Sequence, residues 1–475
     1  MLTRDKQYPE KIIQFGEGNF LRCFADWQID ILNEKTDFNS GITVVRSIND
    51  EKLPLLDIQD GLYTTIIRGI NEDGEAVKEY RVIQSVNREI PIYKEFDKYL
   101  KLAENPDIKW IISNTTEAGI VFEENDKYED RPPSSFPAKL TRLLHERYKV
   151  FNGMKDKGFI ILPCELIDYN GEKLKETVLE YVKLWGLENG FKEWLLESNT
   201  WCSTLVDRIV TGFPFSEKEE LERELGYKDI FMTTGEYFYL FVIQGPKSLE
   251  KELRLEESGL NIKITDNIKP YKLRKVGILN GAHTLMVPVA YLYGLETVKE
   301  SIENPVIGEY VKKAVFDEII PALDMDKEEL ESFAASVIDR FRNPYIKHLL
   351  MSISLNSMSK FRSRVLPQII SYNEKYGKLP DRLVFSLAAL IRFYKGSRDG
   401  IETELKDDEY ILDLYKELWE KNGENYEKIV ESILKLEKLW GRDLNEINGL
   451  LKKTSGYLET IDIKGMKAAL EETGF

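Results

Sequence analysis

The chain has 475 residues, of which 42% are hydrophobic and 31% are charged, and its formal net charge is −16. This length predicts two domains, and the acidic balance argues against nucleic acids and anionic membranes as partners. No apolar run reaches the ~18 residues of a membrane span. The three cysteines, Cys23, Cys164 and Cys202, lack zinc or disulfide spacing, which favours a reduced, cytoplasmic protein.

Short apolar runs separated by helical stretches characterise the N-terminal half. Lys11–Phe15 predicts a strand, Gly16-Glu17-Gly18 follows at once, and Phe20–Leu32 has helical spacing of its large apolar residues. Buried parallel strands have continuous apolar runs of this kind. Residues 1–265 are therefore predicted to form a Rossmann-like, doubly wound α/β domain with insertions. The later predicted strands are Ile42–Val45, Lys109–Ser113 and Gly158–Pro163.

A polar, proline-rich segment, Glu123–Pro137, separates two of the predicted strands. One interpretation is a solvated connection. The other is a flap that covers a cofactor, since binding groups are often carried on loops.

The composition of the chain changes from about Lys272 onward. No glycine occurs between Gly308 and Gly377, and amphipathic stretches such as Leu383–Tyr394 and Tyr410–Trp419 dominate. Residues 266–475 are therefore predicted to form a mostly α-helical domain that carries the substrate and catalytic groups.

The segment Gly16-Glu17-Gly18, between a strand and a helix, predicts a dinucleotide turn. Glycine lets the backbone approach a pyrophosphate, and the N–H groups at the start of the helix favour negative charge. The third glycine of the usual fingerprint is absent, because Leu21 stands there. Arg22 is interpreted as either a phosphate contact or an ordinary surface charge. The candidate cofactor residues of this turn are Gly16, Gly18, Asn19, Phe20 and Arg22.

The residues that follow the second predicted strand distinguish NAD from NADP. The segment reads VVRSIND, with Arg46 at the end of the strand and Asp50 in the loop beyond it. Arg46 would suit the 2′-phosphate of NADP, whereas Asp50 would bond the ribose hydroxyls of NAD and repel that phosphate. The predicted cofactor is NAD, with Asp50 as the ribose contact.

The segment KVGILNGAH, Lys275–His283, carries the groups that hydride transfer between a carbonyl and an alcohol needs. Lys275 can exchange a proton with the reacting oxygen, and Asn280 and His283 can donate hydrogen bonds to it. Asn280 and His283 share a helix face, but Lys275 lies about 140° from Asn280 on an ideal α-helix. The three converge only if the helix begins near Gly277 or the lysine side chain reaches round. The alternative is a surface lysine with a capping asparagine.

Seven segments match a known family in the same order along the chain: QFGEGNFLRCF (Gln14–Phe24), QDGLYT (Gln59–Thr64), NTTEAGI (Asn114–Ile120), PCELIDYNGE (Pro163–Glu172), LVDRIVTGFP (Leu205–Pro214), KVGILNGAHT (Lys275–Thr284) and RFRNPYIKHLLMSISLNSMSKFRSRVLP (Arg340–Pro367). On these segments the chain resembles the mannitol dehydrogenase group of the polyol-specific long-chain dehydrogenase/reductase family. The resemblance extends over nearly the whole length, so it is more specific than any one motif.

The resemblance implies a role for each residue of the catalytic segment. Lys275 is the implied general acid/base, Asn280 an oxyanion contact and His283 a substrate contact. In mannitol dehydrogenases the segment that reads CELID here carries an asparagine that also holds the oxyanion, whereas this chain has Leu166. This departure argues against mannitol and favours the branch of the family that acts on ketouronates. The implied cofactor contacts beyond the turn are Asn114, Thr116 and Glu117.

A sugar-acid substrate carries a carboxylate, which needs a basic partner, ideally a bidentate arginine. The candidates are the three basic residues of SKFRSR, which are Lys360, Arg362 and Arg364. Their spacing of two does not place all three on one helix face, so one or two are expected to point inward; the alternative is a solvated basic stretch. Glu165 and Asp207 lie in matched segments and are further candidate substrate contacts. The alternative for Asp207 is an interior ion pair with Arg208.

As a whole, the resemblance implies NAD-dependent, reversible hydride transfer between D-tagaturonate and D-altronate in hexuronate catabolism. No cluster of His, Cys and carboxylates has ligand spacing, so chemistry without a metal is expected. The expected partner is a small-molecule sugar acid, and the oligomeric state is left open. The alternatives are the sister reaction between D-fructuronate and D-mannonate, a mannitol dehydrogenase, and a dinucleotide-binding regulator without turnover.

Overall fold

The computed structural model describes residues 2–50, 52–115 and 119–475. The chain divides into two compact units, which are Met1–Gly69 with Val77–Ile268, and Ile70–Ala76 with Lys269–Phe475. The first unit contains a large parallel sheet, and the second is mostly helical. The predicted fold class, a Rossmann-like sheet domain followed by a mostly helical domain, is confirmed.

The strands begin and end close to the predicted positions. All four predicted strands are present, and their ends agree with the prediction to within about two residues. In chain order, the strands are β1 (Glu10–Phe15), β2 (Gly41–Arg46), β3 (Tyr63–Ile70), β4 (Ala76–Ile83), β5 (Val86–Pro91), β6 (Trp110–Ser113), β7 (Ile160–Pro163), β8 (Thr200–Trp201), β9 (Ser203–Asp207), β10 (Val210–Gly212), β11 (Thr233–Glu236), β12 (Leu240–Gln244), β13 (Ile262–Thr265), β14 (Ser397–Arg398) and β15 (Ile401–Glu402).

The central sheet of the first unit has six parallel strands in the order β5-β2-β1-β6-β7-β8. This is the strand order of the Rossmann fold, in which ligands bind beyond the carboxyl ends of the strands where the order reverses. Phe15 at the end of β1 pairs with Val45 on one side and Ser113 on the other. The carboxyl ends of these three strands therefore meet at one edge.

Two smaller sheets accompany the central sheet, with the orders β10-β11-β3-β4 and β13-β12-β9, and β14 and β15 form a hairpin in the second unit. Successive residues of the central strands alternate between two apolar layers. Ile12 and Val44 lie in one layer, and Ile13 and Val45 lie in the other. Because both faces are covered, the strands have continuous apolar runs.

The helix predicted over Phe20–Leu32 is interrupted at Phe24, whose backbone leaves the helical region and whose N–H donates to the carbonyl of Leu21. The helices of the first unit are α1 (Asn19–Cys23), α2 (Ala25–Lys35), α3 (Phe96–Leu100), α4 (Phe136–Val150), α5 (Asn170–Leu184), α6 (Asn189–Glu197), α7 (Lys218–Leu225), α8 (Leu249–Glu252) and α9 (Leu255–Ser258). Short 3₁₀ turns cover Leu56–Gln59, Lys101–Glu104 and Lys155–Lys157.

The second unit is a helical assembly with two wide π-helical turns, Lys275–Asn280 and Ala314–Ile319, and one 3₁₀ turn, Leu444–Glu446. Its helices are α10 (Lys269–Arg274), α11 (Gly281–Tyr293), α12 (Val298–Glu303), α13 (Pro305–Lys313), α14 (Ile320–Ala322), α15 (Lys327–Phe341), α16 (Leu350–Ile353), α17 (Ser357–Arg364), α18 (Leu366–Tyr376), α19 (Asp381–Phe393), α20 (Glu409–Asn422), α21 (Tyr426–Leu434), α22 (Glu437–Trp440), α23 (Leu450–Lys464) and α24 (Met466–Thr473).

The helix Lys269–Tyr293, which joins α10, the first π-turn and α11, is 25 residues long. By length and composition it could cross a membrane, but 78% of its apolar window is buried inside the fold. Burial of this extent is typical of the core helix of a globular unit.

The segment Glu123–Pro137 is held by its own hydrogen bonds. Asp126 accepts the N–H groups of Ser134 at 2.6 Å and Ser135 at 3.0 Å. The N–H of Glu123 donates to the hydroxyl of Tyr181 at 2.7 Å. These bonds favour a fixed connection over a mobile flap.

Arg147 of α4 is 1% exposed and links separate parts of the first unit. Its guanidinium donates to the carbonyls of Ala103 at 3.1 Å, Ile108 at 3.0 Å and Lys157 at 3.0 Å, and also to that of Asn105. A planar group with five donors suits this set of carbonyls, whereas a lysine ammonium has only three donors.

Replacing Arg147 with methionine is expected to lower the free energy of unfolding by about 3 kcal/mol, because four carbonyls, two buried and two partly buried, lose their donor. Arg147→Lys is expected to recover part of the loss. The measurement is urea unfolding followed by circular dichroism. The matched control is Arg223→Met, since Arg223 is exposed on α7. Equal stability of Arg147→Met and the control would contradict the account.

Candidate functional site

The dinucleotide turn lies at the carboxyl edge of the central sheet, directly after β1. Gly16 has a φ of +111°, and a Cβ at this position would stand 2.7 Å from the carbonyl oxygen of Asn114, so glycine is required there. Gly18 precedes α1, and no described heavy atom lies within 4 Å of the place where its Cβ would stand. Gly16 therefore lets the turn pack closely against Asn114, and Gly18 offers open backbone at the edge where this fold binds ligands.

Arg22 is buried beneath this turn and is not the surface charge that was one interpretation. Its guanidinium donates to the carbonyl of Glu17 at 3.1 Å and to Oδ1 of Asn19 at 2.8 Å, and also to the carbonyl of Phe231. Phe20 stacks on Phe24 with ring centroids 5.0 Å apart. These bonds direct the Arg22 charge into the protein, which disfavours a direct phosphate contact.

Arg46 at the end of β2 is also directed inward. Its Nε lies 2.5 Å from a carboxylate oxygen of Glu89, and its Nη atoms donate to the carbonyls of Leu53 and Pro54 at 2.8 and 2.7 Å. Asp50 is half-buried in the loop beyond, where it accepts the N–H of Lys52 at 2.9 Å. The residue that argued for NADP is therefore neutralised by Glu89.

The loop after β6 is anchored at its start by Asn114, whose side chain donates to the carbonyl of Cys164 at 2.7 Å. Glu165 is buried and accepts from the Ser113 hydroxyl at 3.1 Å, and from the Thr115 N–H and hydroxyl at 3.1 and 3.0 Å. Burial raises the pKa of Glu165. The structure thus places Glu165 as an anchor of this loop. Thr116 and Glu117, which the family resemblance implied as cofactor contacts, lie outside the described residues.

Two other positions from the matched segments contrast in exposure. Asp207, at the end of β9, is buried, whereas Leu166 is 65% exposed. The neighbour of Asp207, Arg208, donates to the carbonyls of Glu236 at 2.9 Å and Cys23 at 2.8 Å. Burial lowers the pKa of Arg208.

The catalytic segment lies on a helix that begins at Lys269. The helix therefore does not begin near Gly277, which was one of the two ways in which Lys275, Asn280 and His283 could converge. Lys275–Asn280 forms a π-turn, in which hydrogen bonds run from residue i to residue i+5. Asn280 therefore follows Lys275 by one wide turn on the same side of the helix, where an ideal α-helix would separate them by about 140°. π-turns inside α-helices are frequent at functional sites.

His283 is buried one turn further along α11, and aromatic rings surround it. Its ring centroid lies 4.3 Å from that of Phe341 and 5.2 Å from that of His348, which it meets edge-on. Burial lowers the pKa of His348, which favours a neutral imidazole at pH 7. His348 thus lies beside a predicted substrate contact, and Phe341 is a neighbour of His283 that no sequence motif singled out.

The glycines of the catalytic segment let neighbouring helices approach. A Cβ on Gly281 would stand 3.3 Å from the carbonyl oxygen of Arg364, and one on Gly277 would stand 3.1 Å from Nε2 of Gln368. Helix α17 packs against both the π-turn and α11. Its basic residues are thereby brought to the helix that carries Lys275, and the two glycines four residues apart were the sequence signal for this close packing.

The three basic residues of α17 do not share one environment. Lys360 and Arg364 are four residues apart, on one helix face, and both are partly buried. Burial lowers the pKa of each, and the charge of Arg364 lowers that of Lys360 further. Arg362 is exposed, and its Nη2 lies near Gly441, the residue that follows α22. Nζ of Lys360 donates to the carbonyl of Ile353 at 2.9 Å, and both Lys360 and Arg364 are less exposed than Arg362.

Asp26 of α2 is fully buried, and its carboxylate accepts the hydroxyl of Tyr63 at 2.5 Å. Burial raises its pKa from 3.8 to about 7, although the Tyr63 hydrogen bond and Arg22 oppose this rise. Between about pH 4 and 7 the folded protein keeps a proton that the unfolded chain releases, so wild-type stability falls as pH rises through this window.

Replacing Asp26 with asparagine removes this titration and keeps an acceptor for Tyr63. Relative to wild type, the stability of the variant is expected to increase by about 4 kcal/mol as the pH rises from 4 to 8, since each unit of pKa shift corresponds to about 1.4 kcal/mol. Urea unfolding of both proteins at pH 5, 6, 7 and 8 measures the difference. A difference that does not change with pH would show that Asp26 titrates normally.

Two family models match the chain. The mannitol dehydrogenase Rossmann domain matches residues 10–257, and the mannitol dehydrogenase C-terminal domain matches residues 267–462. The chain belongs to the mannitol dehydrogenase family, as the resemblance of its seven segments predicted.

Its curated relatives include three altronate oxidoreductases of similar length. The protein of Enterobacter sp. (strain 638) is 55% identical over 468 residues, covering 98% of this chain and 97% of the relative. The protein of Yersinia enterocolitica is 56% identical over 468 residues, and that of Escherichia coli O7:K1 is 56% identical over 467 residues, with the same coverage.

Solved structures share the fold at lower identity. A D-sorbitol dehydrogenase in substrate-free form has a TM-score of 0.81 at 21% identity, covering 99% of this chain and 100% of that one. The mannitol 2-dehydrogenase of Pseudomonas fluorescens, in a ternary complex with NAD and D-mannitol, has a TM-score of 0.68 at 20% identity, covering 98% and 94%.

Proposed function

We propose that this chain interconverts D-tagaturonate and D-altronate with NAD as its cofactor, in hexuronate catabolism. The observation that carries the proposal is the 55–56% identity, over 98% of the chain, to proteins named altronate oxidoreductase. A cytoplasmic location fits the three cysteines, which are all free and buried.

The residues at the carboxyl edge of the central sheet fit a dinucleotide. The open backbone at Gly18 receives the pyrophosphate, and Asp50 lies beyond β2 where the ribose hydroxyls are bound in this fold. Arg46, the cation at the end of β2, is held by Glu89 and so is not free to meet a 2′-phosphate, which supports NAD over NADP. When bound, NADH supplies the hydride for carbonyl reduction.

Lys275 acts as the general acid in reduction and as the general base in the reverse direction. It gives a proton to the oxygen of the reacting carbonyl as that oxygen gains negative charge. Asn280 stabilises the same oxygen by donating a side-chain N–H, and His283 bonds the oxygen or a neighbouring hydroxyl. The π-turn supports this assignment, because it aligns Lys275 with Asn280.

Lys360 and Arg364 hold the carboxylate of the sugar acid. Their shared face on α17 and the packing of α17 against the catalytic helix support this role. Two partly buried cations favour an acid sugar over a neutral polyol, since a carboxylate accepts charge-assisted hydrogen bonds from them at both of its oxygens. The sister reaction on D-fructuronate and D-mannonate has the same charge pattern, and these epimers differ in the orientation of one hydroxyl.

The test is product identification. Purified protein is incubated with NADH and D-tagaturonate, and the aldonate formed is separated from D-mannonate by ion-exchange chromatography. Stoichiometric NADH oxidation with D-altronate as product is expected, and NAD⁺ should be reduced when D-altronate is supplied. Dinucleotide binding with neither reduction of D-tagaturonate by NADH nor oxidation of D-altronate by NAD⁺ would support the regulator that binds a dinucleotide without turnover.

A further inference from the structure

Two buried side chains, Gln14 and Arg22, lie beneath the dinucleotide turn. Nε2 of Gln14 donates to the carbonyl oxygen of Gly16 at 3.1 Å, and Nε of Arg22 donates to that of Glu17 at 3.1 Å. Two successive carbonyls of the turn are therefore held from the interior of the protein.

The direction of each carbonyl determines the direction of the N–H that follows it. In a planar trans peptide the C=O and the next N–H point to opposite sides. The cis peptide bond among the described residues is Arg131–Pro132, so both peptide bonds of the turn are trans. The N–H groups of Glu17 and Gly18 consequently point away from Gln14 and Arg22.

Arg22 is itself held firmly in this position. Its Nη2 donates to Oδ1 of Asn19 at 2.8 Å, its Nη1 donates to the carbonyl of Phe231, and its guanidinium lies 5.4 Å from the centre of the Tyr63 ring. Because the Arg22 side chain is already fixed on several sides, it can orient the carbonyl of Glu17 without a further loss of side-chain entropy when a ligand binds.

We propose that Gln14 and Arg22 are positioning residues for cofactor binding. By holding the carbonyls of Gly16 and Glu17 inward, they aim the N–H groups of Glu17 and Gly18 at the pyrophosphate of the dinucleotide. This inference rests on the proposed function, and it gives Arg22 a role through the backbone in place of a direct phosphate contact. Without these bonds the two carbonyls are free to turn outward, where their partial negative charge repels a phosphate.

The test compares Gln14→Met with a matched control, Gln28→Met. Gln28 is also a buried glutamine, and its Nε2 donates to one carbonyl, that of Phe24 at 3.0 Å, but it lies within α2 and away from the turn. The dissociation constant of NADH is measured by fluorescence, with inhibition constants for ADP-ribose and adenosine and kcat at saturating NADH. Adenosine lacks the pyrophosphate. A change at the turn should therefore weaken ADP-ribose but not adenosine, whereas a general distortion of the cofactor site should weaken both.

We expect Gln14→Met to weaken NADH and ADP-ribose about tenfold, and to leave adenosine affinity and kcat within about twofold. Gln28→Met should lower the melting temperature to a similar extent and leave all affinities unchanged. Equal NADH affinity in the two variants, or equal weakening of ADP-ribose and adenosine, would overturn the inference. Failure of the wild type to bind NADH would instead overturn the proposed function on which the inference rests.

A Gln14→Met variant that does not fold is replaced by Arg22→Lys, which keeps the positive charge. The ammonium lacks the fixed fork of donors with which Arg22 holds the carbonyl of Glu17, so this variant should show the same selective loss for NADH and ADP-ribose. Wild-type affinity for both ligands in Arg22→Lys would contradict the proposal.

Discussion

Replacing Lys275 with alanine is expected to lower kcat for tagaturonate reduction about 10³-fold and to leave the dissociation constant of NADH within about twofold. Turnover falls because the reacting oxygen loses its proton donor. Binding survives because the residues that fit the dinucleotide, Gly16, Gly18 and Asp50, belong to the first unit.

The experiment combines steady-state kinetics with NADH fluorescence titration. The control is Lys428→Ala. Lys428 is an exposed lysine on α21 and forms an ion pair with Glu431, three residues further along the same helix. Retained turnover in Lys275→Ala would remove the lysine from the mechanism. Loss of NADH binding together with turnover would show that the substitution damages the fold.

Replacing Arg364 with methionine is expected to raise the KM for tagaturonate about 100-fold, because the substrate carboxylate loses a charge-assisted hydrogen bond in a partly buried site. Reduction of fructose, which has no carboxylate, should change little. The long methionine side chain retains most of the packing volume, and the carbonyl of Arg364 that lies against Gly281 is unchanged.

Arg362→Met is the matched control for this prediction. Arg362 is on the same helix, two residues away, but it is exposed beside Gly441. Kinetic constants for tagaturonate and fructose are measured for both variants. An equal effect of the two substitutions, or an equal loss of tagaturonate and fructose reduction in Arg364→Met, would contradict a carboxylate contact at Arg364.

The central sheet was predictable because its strands are buried on both faces, which produces continuous apolar runs such as that of β1. The dinucleotide turn was predictable because Gly16 and Gly18 follow that strand directly. The interruption at Phe24 was not predictable, since its apolar spacing fits one uninterrupted helix. The two smaller sheets were not predicted either, because several of their strands are too short to form a recognisable pattern: β10 has three residues, and β11 and β13 have four each.

The chemistry of the site was harder to predict than its location. The spacing of Lys275 and Asn280 is unfavourable on an α-helix, and a local pattern does not reveal a π-turn. Arg22 and Arg46 look like cofactor ligands in the sequence, but their partners, Phe231 and Glu89, are distant in the chain. Whether Arg22 and Arg46 can contact the cofactor therefore depends on burial and on partners distant in the chain, which a local sequence pattern does not reveal.

The comparison of NADH oxidation with D-tagaturonate, D-fructuronate and D-fructose, in parallel assays, tests the central claim most directly. Tagaturonate should have the highest kcat/KM, and fructose the lowest, because it lacks the carboxylate that Lys360 and Arg364 would hold. A higher kcat/KM for fructuronate would keep the chemistry of Lys275 and replace the substrate. A higher kcat/KM for fructose would contradict both the substrate and the role of the basic pair on α17.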